Sequence, residues 1–428
     1  MNIAMFTNTY LPHVGGVARS ISTYEEELRR RGFQVNIVAP EYEGAEDDGE
    51  HVFRVPAIQR FNGSDFSLRV PQPWLVSRHI DKVKPDLIHS HHPFVLGDAG
   101  LRTAYERQLP LVFTHHTMYE QYTHYMPLDS EAMKRFAIQM ATEYCNLCDH
   151  VIAPSQSIEQ LLRKRGVEVP ITTIPTGIDL MFYASGDGAA FRERFGVRQD
   201  AVVIGHVGRL AEEKNLTFLA MAAGEFLEDH PEAVLLIVGN GDHRGEMEDI
   251  LGARVPAEQF IFTGCLTGRD LADAYAAMDV FAFSSQSETQ GMVIAEALAA
   301  GKPVVALDGP GVREVVRKEN GILLDGDATE AEFAEALARI TFDREALARL
   351  SGTARASVKP FGIECCADRL SELYRSLIGE FQSKRDHDLT PWEMLQGRLE
   401  AEWNLLAEKA LAIAAAVSET EATKAVLS

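Results

Sequence analysis

The run VFAFSSQSETQGMVIAEALAAGKPVVAL, residues 280–307, reads as a strand, a loop, a helix and a second strand. VFAFSS (280–285) and PVVAL (303–307) are short and largely apolar, without polar alternation. Strands of that kind are covered on both faces, as in a parallel sheet. Parallel neighbours need a crossover connection, and the segment opening at Gly291 supplies a helix for it.

The same alternation extends outward from this run. On the N-terminal side stand NIAMF (2–6), VNIVA (35–39), LIHS (87–90), LVFTHH (111–116), HVIAPS (150–155) and ITTIP (171–175). Beyond residue 200 follow VVIGHVG (202–208), AVLLIVG (233–239), FIFTG (260–264) and, after the opening run, GILL (321–324). The pattern restarts after the linker-like YASGDGAAFRERFG (183–196). A chain of 428 residues also exceeds one ordinary core. The expected class is α/β, with two Rossmann-like, doubly wound domains facing across a cleft. The first spans 1–185 and the second 195–360. A helix over 361–381 returns to the first domain, and an additional amphipathic helix covers 388–418.

That last helix opens at TPWE, with Thr390 as N-cap, Pro391 at the first helical position and Glu393 completing a capping box. Trp392, Leu395, Leu399, Trp403, Leu406, Ala410, Ile413 and Val417 follow at steps of three and four, forming one apolar stripe. Such a stripe docks on its own chain, pairs with a second subunit or touches lipid. The opposite face is not rich in Lys or Arg, which favours docking or homo-oligomerisation.

The formal net charge is -22, a field that repels nucleic acid and excludes it as a partner. The basic runs Arg29–Arg31 and Arg163–Arg165 read as solvated helix ends. Five cysteines are too few and too irregular for a disulfide framework, and the CxxC of Cys145 and Cys148 reads as a buried structural pair. The N-terminus has no signal-peptide pattern, and no apolar run reaches the roughly 20 residues of a membrane span. The expected location is cytoplasmic, with peripheral contact at the inner membrane face left open.

Three segments carry candidate chemistry. In NTYLPHVGGVARS (8–20), Gly15 and Gly16 let backbone N–H groups approach an anion at a helix N-terminus; a tight βα turn explains them equally well. In GHVGRLAEEKN (205–215), Arg209 and Lys214 lie just past a strand end, where a guanidinium and an ammonium can neutralise a diphosphate. In SETQGMVIAE (287–296), Glu288 precedes the helix and Glu296 lies on it. A loop carboxylate there can reach a sugar, a helix carboxylate can accept from two vicinal ribose hydroxyls, and N–H groups near Gly291, Met292 and Val293 face an anion between them. The plain alternative is two exposed acids around a helix start. The acidic turns DGD (325–327) and DHD (386–388) read as solvated rather than metal-binding.

SETQGMVIAEALAAGKPVV (287–305) resembles the E-x7-E signature of the retaining family 4 glycosyltransferases, which have the GT-B fold. The likeness spans most of residues 1–380: GGVARS is similar to the family's glycine loop, IPTGID to the end of its first domain, and GRLAEEKN to its Arg/Lys diphosphate clamp. IVGNGD and FTGCL resemble its nucleotide-binding loops. The resemblance implies a nucleotide-sugar site formed by Gly15, Gly16, Gly208, Arg209, Lys214, Gly239, Leu266, Glu288, Gln290, Gly291, Met292, Val293 and Glu296. No metal or other cofactor is required.

THHTMYEQYTHY (114–125) and SETQG are similar to segments of the bacterial diacylglycerol glucosyltransferases within that family. That likeness makes His116 the active-site histidine, with Glu288, Arg209 and Lys214 completing the catalytic set. It also implies UDP-glucose as donor and a membrane lipid such as diacylglycerol as acceptor. Tyr119, Tyr122 and Tyr125 line an acceptor groove or simply pack. GDP-mannose with a phosphoinositol lipid, or a small soluble acceptor, are the alternatives. A dinucleotide-dependent oxidoreductase would need GxGxxG in the first βα turn, and HVGGVARS lacks it. A silent nucleotide-sugar binder is disfavoured by the joint presence of Glu288, Glu296, Arg209, Lys214 and His116.

Overall fold

A computed structural model describes residues 1–12, 15–42, 49–58, 68–69, 73–121, 131–384 and 389–417. The chain divides into two compact units: Met1–Gly177 with Cys366–Ser428, and Ile178–Cys365.

The first unit is built on β1 (Asn2–Phe6), β2 (Gln34–Pro40), β3 (Val52–Val55), β6 (Leu87–Ser90), β7 (Leu111–Thr114), β8 (His150–Ala153) and β9 (Ile171–Thr173), while β4 (Ala57–Ile58) and β5 (Leu68–Arg69) form a separate antiparallel pair. The large sheet runs β3-β2-β1-β6-β7-β8-β9 and is parallel throughout. β3, β4 and β5 are absent from the sequence reading, being short and only partly apolar. LVFTHH ends its ladder at Thr114, so His115 and His116 already belong to the loop. Phe6, Ile88, Phe113, Tyr144 and Val151 form part of the core. The helix Ile363–Lys384 packs here, its Tyr374 hydroxyl 2.6 Å from His89 Nδ1.

The second unit holds β10 (Val202–Val207), β11 (Ala233–Val238), β12 (Phe260–Phe262), β13 (Val280–Phe283), β14 (Val304–Leu307) and β15 (Gly321–Leu324), in the parallel order β12-β11-β10-β13-β14-β15. Alternate residues feed two cores, one on each face. Leu236, Val203, Phe281 and Val304 enter one; Leu235, Ile204, Ala282 and Val305 enter the other. This two-sided burial is why these strands lack polar alternation. The chain enters and leaves the unit side by side, Ile178 N–H donating to Phe361 O and Ile363 N–H to Ile178 O, both at 2.9 Å. The stretch 183–196 is not a linker. It contains the end of the short helix Leu180–Ala184 and all of the helix Gly188–Arg194, capped by Asp179 and Asp187.

Two further readings need correction. Arg165 is not solvated: its side chain is 6% exposed and donates to the equally enclosed Glu120 at 2.6 Å. Arg29 and Arg30 are solvated and pair with Glu25, Glu26 and Glu27 of their own helix, whereas Arg31 is largely enclosed between Glu27 and Asp368. The C-terminal helix Pro391–Val417 has the expected Thr390–Glu393 capping box, but its aromatic stripe does not dock. It seats a narrower face, including Ala401, Leu405 and Ala412, on the helices Leu96–Arg107 and Glu131–Asn146, and leaves the stripe in solvent. Small residues permit the closer helix approach. A Cβ on Gly397 would lie 2.2 Å from Tyr105 O. Cys145 and Cys148 are buried free thiols. DGD at 325–327 is an exposed turn, and DHD at 386–388 lies outside the described residues. Among the described residues no helix is long and apolar enough to cross a membrane.

Candidate active site

In the second sheet the strand order reverses between β10 and β13. Loops leaving the carboxyl ends of such a pair of strands form a crevice, the place where open α/β sheets bind ligands. The loop after β10 carries Gly208, Arg209 and the short turn Glu212–Lys214; the loop after β13 carries Ser284–Gly291.

Hydrogen bonds stitch the two loops together. Ser284 Oγ donates to Asn215 O at 2.9 Å, and Ser287 Oγ to Glu213 O at 2.8 Å. Lys214 Nζ then donates to Glu288 Oε1 at 2.6 Å, and Ser285 Oγ to the same oxygen at 2.9 Å. Both charged side chains are largely enclosed, 16% and 18% exposed. Burial pushes the Glu288 carboxyl up, but the Lys214 ammonium and the two hydrogen bonds outweigh it and hold the group below its ordinary value. The crevice thus contains an ionised, fixed pair, and the reading of Glu288 and Glu296 as exposed acids fails for both. Arg209 is half exposed and pairs with Glu213, which is almost fully enclosed.

Beneath the pair lies His206, buried between Phe281 and Phe283. Its ring Nδ1 lies 3.1 Å from Ala282 O, and burial lowers its pKa to about 4, so it stays neutral.

The glycine-bearing loops are brought together by close backbone approach. Gly239 has φ +143°, and a Cβ there would lie 1.8 Å from Gly208 O. Only glycine lets the loop after β11 lie against the loop after β10. Leu266 is half-buried and packs on the core beneath. Gln290 is 4% exposed, and Gly291 caps the helix Met292–Ala299 without a side-chain cap bond. The half-buried Met292 and Val293 open that helix, where its N–H groups and dipole favour an anion. Glu296, on the same helix, is wholly buried, and Tyr275 Oη donates to its Oε2 at 2.8 Å.

The first unit has its own order reversal, between β1 and β6. Gly15 and Gly16 stand at the start of the helix Gly16–Arg30 that follows β1. At the carboxyl ends of β6 and β7 a cluster of imidazoles collects. His91 Nδ1 lies 2.9 Å from His116 Nε2, so one nitrogen donates to the other. His89 bonds Tyr374 through Nδ1 at 2.6 Å and Thr114 through Nε2 at 2.7 Å. His92 Nδ1 accepts from Asn8 N–H at 3.1 Å. Burial lowers His89 to about 3 and His115 to about 4. It holds His91 and the half-buried His116 well below the ordinary imidazole value, neighbouring rings adding to the effect. Tyr119 packs edge-on against Phe94 and His115; Tyr122 and Tyr125 lie outside the described residues.

Sequence reasoning singled out His116 alone of this cluster and missed Ser285, His206 and Tyr275. One signal was available: LIHS and LVFT both run into paired histidines, which adjacent parallel strands must bring together.

Residues 14–182 match the model of Glycosyltransferase Family 4 and residues 188–357 that of Glycosyl transferases group 1. The chain is 30% identical to the alpha-monoglucosyldiacylglycerol synthase of Acholeplasma laidlawii, over 90% of this chain and 99% of that one. It is also 30% identical to a GDP-mannose-dependent alpha-mannosyltransferase of Mycobacterium tuberculosis, over 89% of this chain and 97% of that one. In fold it is similar to the sucrose-phosphate synthase of Thermosynechococcus elongatus, with a TM-score of 0.74, 21% identity and coverage of 88% and 99%. Anabaena HepE in complex with UDP-glucose gives a TM-score of 0.72 at 21% identity, covering 87% and 99%. Matched over both parallel-sheet units and along nearly the whole length of these relatives, the chain belongs to the family 4 glycosyltransferases and has their GT-B fold.

Proposed function

We propose that the chain moves a hexose, glucose from UDP-glucose, onto a hydroxyl of a membrane lipid such as diacylglycerol, with the anomeric configuration retained. The observation that carries this reading is the enclosed Lys214–Glu288 pair at the strand-order reversal of the second unit. The likeness to a monoglucosyldiacylglycerol synthase over almost its entire length supports the choice of lipid and sugar.

In this reading the bond between the anomeric carbon and the diphosphate breaks through an oxocarbenium-like state. Negative charge grows on the diphosphate, where Lys214, Arg209 and the N–H groups at Met292 and Val293 stabilise it, in place of a metal ion. Glu288 orients Lys214 before the donor arrives and takes hydroxyls of the donor sugar once it is bound. From the first unit the reading takes N–H groups at Gly15 and Gly16 for the phosphates and His116 for the sugar. A neutral imidazole suits that task, since a cation would compete for the leaving group. The acceptor hydroxyl attacks the face the diphosphate is leaving, and its proton passes to the departing phosphate oxygen. Glu296 is assigned to the ribose. Its carboxylate is wholly buried in the free chain, so the assignment needs its own test: Glu296→Ala should raise the nucleotide Kd about tenfold, as the loss of one charged hydrogen-bonding group does. An unchanged Kd would remove Glu296 from the site.

A lipid acceptor places the working enzyme at the inner membrane face, as a peripheral cytoplasmic protein. The equal identity to a GDP-mannose-dependent relative favours one second reading, mannosyl transfer to a phosphoinositol lipid. Thermal-shift titration decides the donor. UDP-glucose should raise the unfolding temperature more than GDP-mannose, with no added metal and in the presence of EDTA. A shift with GDP-mannose alone would move the assignment to the second reading, and no shift with any nucleotide sugar would refute both.

A further inference from the structure

We propose that the outward face of the C-terminal helix Pro391–Val417 is a self-association seam through which two copies of the chain pair. The inward face already has a fixed role. Ala401, Leu405, Glu408 and Ala412 are at most 2% exposed. Arg102 and Glu402 pair at 2.6 Å, Lys409 and Asp98 at 2.9 Å, and Arg135 donates to the Ala415 and Ala416 carbonyls. These contacts anchor the helix to the helices Leu96–Arg107 and Glu131–Asn146 and set its rotation.

At 100° per residue the opposite face presents Trp392, Leu395, Leu399, Trp403, Leu406 and Ile413. Their exposures are 64%, 44%, 60%, 72%, 66% and 59%. Three observations select a second copy as the occupant. First, from Leu399 through Trp403, Leu406 and Ala410 to Ile413 the steps run four, three, four, three. That spacing keeps a seam aligned with a partner helix. Second, the apolar area left open is about 700 Å², taking roughly 150–250 Å² per large side chain. It exceeds the patch an ordinary monomer shows and approaches the ~800 Å² per partner of a stable interface. Third, the face carries no charged residue. Glu393 and Glu400 flank one edge; Arg398, Glu402 and Lys409 flank the other, and the last two are spent on ion pairs within the chain. A helix seated on anionic lipid would show a basic flank, whereas here acids stand on both edges.

Sedimentation equilibrium of the full chain at micromolar concentration tests this. The expected mass is twice 47.3 kDa. Trp403→Glu with Leu406→Glu should return it to 47.3 kDa, with circular dichroism unchanged because both side chains are exposed. Without any substitution, acrylamide should quench tryptophan emission more strongly as the chain is diluted through the dimer's Kd. A wild-type chain that remains at 47.3 kDa, or a doubly substituted chain that remains dimeric, overturns the proposal. So does a monomer that floats with phosphatidylcholine vesicles in a Trp403-dependent way, which would assign the face to lipid.

Discussion

The two units repeat one architecture and furnish it with opposite chemistry. Each has a parallel sheet whose order reverses once, and each places its candidate residues on the loops leaving the strands at or beside that reversal. In the second unit those loops hold fixed charge: Lys214 against Glu288, and Arg209 against Glu213. In the first they hold imidazoles that burial keeps neutral, His91 against His116 among them. Burial is common to both. What differs is whether a neighbouring charge outweighs it. Glu288 is taken out of water and still ionises readily, because Lys214 is taken out with it. For the histidines burial is the largest influence, and they lose their proton. Fixed charge suits a departing diphosphate, whereas neutral rings suit hydrogen bonds to sugar hydroxyls, so the same scaffold can divide transfer chemistry between its halves.

The sharpest way to break this contrast is to remove the counterion. Lys214→Ala leaves Glu288 enclosed without its cation and, in the proposed mechanism, deletes a donor to the leaving group. Steady-state kinetics should show kcat/KM down by about 10²- to 10³-fold, the scale of losing one such donor. A value within threefold of wild type would dissolve the charged half of the comparison. On the neutral side, His116→Ala should cost about 10- to 100-fold in kcat/KM, the range of one or two hydrogen bonds, while calorimetry finds nucleotide binding unchanged. An equal loss in nucleotide affinity would place His116 with the charged group instead.

Acid then separates the halves by stability. The buried histidines have folded pKa values below their unfolded value of about 6.5, so their contribution is complete above it and lost as pH falls towards the depressed values. The Glu288 contribution, with a depressed carboxyl pKa, is complete above the ordinary carboxyl value and lost only below it. Between pH 7 and pH 5 the unfolding temperature should therefore drop by several degrees through the histidines, while kcat/KM of the folded enzyme stays level. An acid limb of kcat/KM near pH 6.5 would mean that a working imidazole is not held neutral.

Glu408 provides the smallest effect and the cleanest control. It is a buried carboxyl for which neither oxygen has a hydrogen-bond partner among the described residues, and its pKa rises to about 8 through burial first and Asp98 second. With a raised folded pKa, its contribution is complete below the ordinary carboxyl value and fades as pH rises towards 8. Glu408→Gln, uncharged throughout, should raise the unfolding temperature by a few degrees at pH 8.5 and hardly change it near pH 4.5. Equal shifts at both values would show that Glu408 already carries its charge beneath the helix.

Both halves of this comparison stand on features that are legible to different depths in the sequence. The strands of both sheets are readable because two-sided burial writes itself as uninterrupted apolar runs. Glu288 and Glu296 are readable because both lie in one strand–loop–helix segment with fixed spacing. The histidine cluster is not, since His89 meets Tyr374 from a helix nearly three hundred positions away, and only His116 stands in a recognisable motif. Arg165 looked like a helix-end cation because nothing local reveals Glu120. In the C-terminal helix the apolar stripe is plain in the sequence, yet it is not the face that seats on the chain itself. Close approach at Gly397, Ala401 and Ala412 decided the matter, and small residues leave little trace in an apolar pattern.

The central claim is that charge in one unit and neutral hydrogen bonding in the other serve glucosyl transfer to lipid. Incubation with radiolabelled UDP-glucose and diacylglycerol vesicles, followed by phase extraction, tests it most directly. The account predicts label in the organic phase as an α-glucosyl lipid, lost in Lys214→Ala and strongly reduced in His116→Ala. Label that stays in the water phase with every lipid offered, or a β-linked product, would contradict it.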